Sequence, residues 1–91
     1  MSSGQQDSVD RARRDLAQRL SLSHNEITLE SVDPADFPDA ALGAPSEDEM
    51  SAQVITPGLR IRLRASGKTY EYRASDRHLR LFNFNGENYR I

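Results

Sequence analysis

The sequence predicts an α+β domain in which one N-terminal helix packs on a four- to five-stranded antiparallel meander sheet. A long proline-rich loop is expected between the first and second strands. Three observations carry this prediction. Val9, Ala12, Leu16 and Leu20 recur at helical spacing and form one apolar stripe. Leu59, Ile61 and Leu63 alternate with Arg60, Arg62 and Arg64; after Ser66-Gly67, Tyr70 and Tyr72 alternate with Thr69, Glu71 and Arg73. That is the period-2 pattern of two strands, each with one buried face. Between these regions Pro34, Pro38 and Pro45 remove backbone donors and push the residues before them out of helical conformation.

Taken in order, residues 1–6 are polar and aperiodic and are expected as a disordered tail, with residues 7–91 forming a single domain. Asp7 or Ser8 can cap a helix predicted over Ser8 to Leu20. Asp10 would then lie near its positive end and Arg19 near its negative end. Ser23 and Glu26 have the spacing of a capping box for one further turn. Ile27 to Val32 read as a first strand with Ile27 and Leu29 inward. Val32 is out of phase, which calls for a bulge.

Residues 33–50 form the long loop, and Phe37, Leu42 and Met50 are expected to pin it down. Ala52 to Ile55 are a second strand candidate that ends at Pro57-Gly58. In the central hairpin, Ser66-Gly67 as the two loop residues sets Leu63 opposite Tyr70, Ile61 opposite Tyr72 and Arg62 opposite Glu71. The guanidinium groups are expected toward water. Asp76-Arg77 belong to the next turn. Leu79, Leu81, Phe82 and Phe84 form a strand with apolar groups on both faces, and Asn85-Gly86 turns into a short last strand.

With no cysteine there is no disulfide framework, thiolate metal site or cysteine nucleophile. No apolar run is long enough to span a membrane, and MSSGQQDSVD lacks the apolar core of a signal peptide. The chain is therefore expected to be soluble and cytoplasmic as it stands, or exported if a leader has been trimmed. Charge is unevenly spread: residues 1–57 carry a net −7 and residues 58–91 a net +5. Such asymmetry points to an anionic partner for the basic half, or to an acidic loop and a basic sheet neutralising each other.

The segments Phe37-Pro-Asp-Ala-Ala-Leu-Gly-Ala-Pro45, Ala52-Gln-Val-Ile-Thr-Pro-Gly58 and Thr69-Tyr-Glu-Tyr72 resemble a group of small bacterial domains, often exported. Those domains carry a Trp-Pro-Asp-x-x-Leu-Gly-Cys-Pro loop, an Ala-Gln-x-x-Thr-Pro-Gly stretch and a Tyr-Glu-Tyr strand, and have no settled function. The resemblance runs from about Arg14 to Arg73. This chain has Phe37 for the tryptophan, Ala44 for the cysteine and Arg73 for the histidine that follows Tyr-Glu-Tyr. The resemblance implies the fold and leaves the activity open.

Catalysis finds little support. His24 and His78 both lie in polar turn contexts, and no nucleophile elbow or Cys/His pair is present. Asp33, Asp36 and Asp39, with Glu47, Asp48 and Glu49, crowd carboxylates into one loop, but the alternating pattern of a calcium loop is missing. No glycine pattern cradles phosphate. No cofactor or metal is expected.

The expected function is therefore non-enzymatic binding by a monomer with a protein partner. The rigid 33–50 loop would be presented through Phe37, Asp39 and Leu42, in a manner similar to a protease inhibitor. The strand around Leu79-Arg80-Leu81 resembles one found in small bacterial peptidase inhibitors. The alternative, ranked behind it, is binding of single-stranded nucleic acid or another polyanion by Arg60, Arg62 and Arg64, with Phe82 and Phe84 as stacking platforms.

Overall fold

The computed structural model describes residues 3–46, 49–75 and 78–91. Helix α1 spans Ser3–Leu20. It begins earlier than the predicted Ser8, taking in residues 3–6 of the expected tail; residues 1 and 2 lie outside the described residues. Gln5 and Gln6 are good helix formers, and the Gln6 amide donates to Asp10 Oδ1 at 3.0 Å, one turn on. Asp7 and Ser8 are therefore helical residues rather than caps, and Asp10 lies in the helix interior. The helix stops where Ser21 turns left-handed (φ 56°). The Leu22 N–H then bonds back to the Ala17 carbonyl at 2.9 Å, satisfying one of the last free acceptors. A single 3-10 turn, His24–Glu26, follows, with Glu26 Oε2 accepting the Ser23 N–H at 2.9 Å as the capping-box spacing predicts.

Five strands follow: β1 (Thr28–Phe37), β2 (Thr56–Ala65), β3 (Lys68–Ser75), β4 (His78–Phe84) and β5 (Glu87–Arg90). They lie in sequence order in one antiparallel meander sheet. The central hairpin has the predicted register, with Leu63 opposite Tyr70, Ile61 opposite Tyr72 and Arg62 opposite Glu71. Ser66 (φ 51°) and Gly67 (φ 78°) are both left-handed, the geometry that matches the twist of the flanking strands.

β1 is longer than Ile27–Val32 and takes in residues 33–37, which were expected in the loop. Pro34 is tolerated there because β1 is an edge strand, with a neighbour on one side only. The register slips between Leu29 and Ser31, so the bulge falls near Glu30 and restores Val32 to the face of Ile61. Leu29 pairs with Leu63 but is 39% exposed rather than inward as expected.

Ala52–Ile55 is not a strand. The Val54 N–H turns back to the Ala52 carbonyl at 2.9 Å, and that carbonyl also accepts the Ala40 N–H at 2.9 Å. Pro57 and Gly58 sit inside β2 instead of ending a strand before it. Gly58 crosses β3 so closely that an added Cβ would lie 2.2 Å from the Ala74 carbonyl oxygen.

On one face of the sheet, Val9, Ala12 and Leu16 of α1 meet Ile61, Leu63, Tyr72, Leu79 and Leu81 in a common core, with Ile27 at its margin. The Tyr72 hydroxyl donates to Asp15 Oδ2 at 2.7 Å, and the same oxygen accepts from Arg19 Nε at 2.7 Å. Burial, reinforced by the Asp15 hydrogen bond, pushes the Tyr72 phenol well above its usual range. This phenol remains protonated and serves as a donor linking helix to sheet.

Candidate functional site

The opposite face carries the arginines. Pairing sets Arg60 opposite Arg73, and Arg73 opposite Arg80, in one row. Left alone these charges would repel, but Glu71 lies among them. Its Oε2 accepts from Arg73 Nε at 2.8 Å and Arg60 Nε at 3.2 Å, and its Oε1 faces Arg62 Nε at 3.5 Å. The Arg73 guanidinium stacks 3.7 Å from the centre of the Phe82 ring and 5.3 Å from that of Phe37. Arg64 reaches Glu30, at 3.9 Å.

The segment after β1 folds back over this row. Asp39 Oδ1 accepts the N–H groups of Ala41 (2.9 Å) and Gly43 (3.0 Å), which closes a tight turn. Leu42 and Gly43 are both left-handed there. The turn aims the Leu42 carbonyl at Arg73 Nη1 (3.0 Å) and the Ala44 carbonyl at Arg80 Nη1 (3.4 Å). Glu49 then clasps Arg80 through both oxygens, one of them 2.6 Å from Nη2. A Ser46 N–H and hydroxyl on Glu49 Oε1 repeat the Ser-x-x-Glu geometry of residues 23–26. The hydrogen bonds from Arg80 outweigh burial and, with those from Ser46 and the Arg80 charge, lower the Glu49 carboxyl to about 2.

The predicted site residues are thereby redistributed. Phe37 and Leu42 are buried beneath the covering segment, so they anchor it rather than meet a partner. Asp39 is committed to the turn. Arg60 lies over Phe37 and beside Glu71, and Phe82 lies under Arg73. The expectation that the hairpin guanidiniums face water fails at Arg73, whose side chain is 13% exposed, and its neighbour Arg80 on β4 is buried. Of the arginines named from the sequence for this face, Arg62 and Arg64 keep the most side-chain exposure, 43% and 55%, against 33% for Arg60.

Phe84 is not on this face. The register slip between Leu81 and Phe84, with Asn83 left-handed (φ 54°), turns it to the helix side. There its ring centre is 5.8 Å from that of Tyr70 and 6.1 Å from that of Tyr89, with Arg19 above. Glu49, which the sequence offers only as one of the crowded loop carboxylates, is the partner of Arg80; the second Ser-x-x-Glu spacing, at Ser46, is the signal for it.

Met50 does not pin the loop as expected. It is 96% exposed, and Val54 and Ile55 are 57% and 72% exposed. The segment is nevertheless held at both ends, by the Ala40–Ala52 hydrogen bond and by the pairing of Thr56 with Phe37. His24 and His78 are exposed. Among the described residues no three His, Asp or Glu side chains gather where a metal could sit. Glu47 and Asp48, and the turn residues Asp76 and Arg77, lie outside the described residues. No helix among the described residues is long and apolar enough to cross a membrane.

Residues 9–82 match the model of a family described as a domain of unknown function, DUF8738. No curated protein and no solved structure matches the chain.

Proposed function

The chain thus belongs to that domain family of unknown function, and from this premise we propose that it works by binding a protein rather than by catalysis. The observation that carries the proposal is the outward display of Met50, Val54 and Ile55 within one short segment. Large apolar side chains grouped at the surface of a small domain are the common mark of an interaction site. Tethering at both ends lowers the ordering cost that binding would otherwise incur. Inhibition of a peptidase by this segment is the narrower form of the proposal.

The three segments that resemble small bacterial domains all fall within residues 9–82, which supports treating that group and this family as one. Polyanion binding is the second reading, and its support has narrowed. Arg60, Arg73 and Arg80 are engaged by Glu71, Glu49 and loop carbonyls; Arg62 and Arg64, which face Glu71 at 3.5 Å and Glu30 at 3.9 Å, are the more exposed pair that would carry it.

A photocrosslinking residue at Gln53 tests the main reading in cells, with the same residue at exposed Gln18 on α1 as control. The expected result is a discrete adduct from position 53 alone that disappears when Val54→Glu and Ile55→Glu are combined with it. The same adducts from both positions would end the proposal. Tight, salt-sensitive binding of a short oligonucleotide, lost in Arg62→Ala/Arg64→Ala, would favour the second reading.

A further inference from the structure

The pairing of β3 with β4 ends at Glu71 opposite Phe82, although β3 begins at Lys68 and β4 continues to Phe84. Beyond that point the strands part, because β4 bends at left-handed Asn83 and continues into the turn with β5. A groove of about 350 Å³ opens between the parted ends, lined by Lys68, Thr69, Tyr70, Glu71, Phe82 and Phe84 among others. We propose that this groove receives an extended acidic peptide as an added strand along β3.

The backbone argument comes first. In a hairpin closed by a two-residue loop, the closing pair Ala65 and Lys68 exchanges both hydrogen bonds. Alternation then points the N–H and C=O of Lys68 and Tyr70 toward β2, and those of Thr69 and Glu71 toward β4. Glu71 is paired with Phe82; Thr69 has no paired residue on that side. Its amide and carbonyl therefore face the groove, as an edge that an extended peptide can use.

Side chains supply the selectivity. Tyr70 and Phe84, with ring centres 5.8 Å apart, offer an apolar seat on the helix side. Lys68 shares the face of Tyr70, two residues away along β3, and is exposed. Of the carboxylates nearby, Glu71 is already held by three guanidiniums. Glu30 accepts the Thr69 hydroxyl at 3.2 Å and faces Arg64. Glu87 pairs with Phe84 across the next turn and is exposed; Lys68 is the cation on the Tyr70 face, and the preference for an acid rests on it. An antiparallel peptide would set an apolar residue opposite Tyr70 and, two positions later, an acid opposite Lys68.

The test is an amide NMR titration of the intact chain with Ac-Val-Thr-Glu-Thr-NH2, whose Val, Thr and Glu face Tyr70, Thr69 and Lys68 and which stops short of the Glu71–Phe82 pair. Two control peptides replace Glu with Lys, or the Thr before it with Pro to remove its N–H. The expected result is shifts centred on Thr69, Asn83 and Asn85, with binding about fivefold weaker for the Lys peptide and lost for the Pro peptide. Lys68→Glu, a surface change, should reverse the preference between the Glu and Lys peptides. No shifts at millimolar peptide, shifts elsewhere, or equal binding of the Pro peptide would overturn the proposal.

Discussion

The two faces of the sheet are covered by different means. On one, α1 lays Val9, Ala12 and Leu16 against Ile61, Leu63 and Tyr72, and apolar contact does most of the holding. On the other, Phe37 and Leu42 are buried too, but the fastening is polar: Arg73 to the Leu42 carbonyl, and Arg80 to the Ala44 carbonyl and to Glu49. A helix satisfies its own backbone, so it can cover a sheet with hydrocarbon alone. An irregular segment cannot, and the arginines of the strand row supply the donors its carbonyls need.

The contrast is broken most strongly at the helix-covered face. Leu63→Ala should cost about 2–5 kcal/mol, read as a fall in the urea midpoint, because it leaves a cavity among fully buried neighbours. Next comes the latch. Arg80→Met should cost about 1–3 kcal/mol, since the Ala44 carbonyl loses its Arg80 donor and Glu49 keeps only its bonds from Ser46 on one oxygen. Combining it with Glu49→Gln should recover part of that loss, a coupling that a double-mutant cycle measures.

Acid gives a third distinction. The Glu49 carboxyl is lowered from 4.5 to about 2 in the folded protein. Its contribution to stability is therefore complete above about pH 4.5 and is lost as pH falls toward 2. Wild type should lose stability through that window more steeply than Glu49→Gln in parallel urea titrations. The smallest effect belongs to Arg64→Ala, within about 0.5 kcal/mol, because its 3.9 Å contact with Glu30 is open to water.

This difference between faces also governs what could be read in advance. The helix stripe, the hairpin register and the Ser66-Gly67 turn were legible, because each is a local pattern with one physical meaning. Arg60, Arg62 and Arg64 alternating with aliphatic residues looked like a solvent face, and nothing in that period announces a covering segment. The coverage depends on contacts between Arg73 or Arg80 and residues more than thirty positions away. Ala52–Ile55 has the composition of a strand, yet its hydrogen bonds turn back on Ala52 and Ala40. Period 2 puts Phe82 and Phe84 on one face, but the left-handed backbone at Asn83 interrupts that period.

Strand order that follows chain order has a consequence for how the molecule assembles and opens. Pairings from β2 to β5 each close a short turn, so little chain entropy is lost before contacts repay it. Joining β1 to β2 instead requires the whole excursion over 38–55 to be closed. β1 should therefore be the last strand to dock and the first to leave, with its amides exchanging with deuterium faster than those of β3.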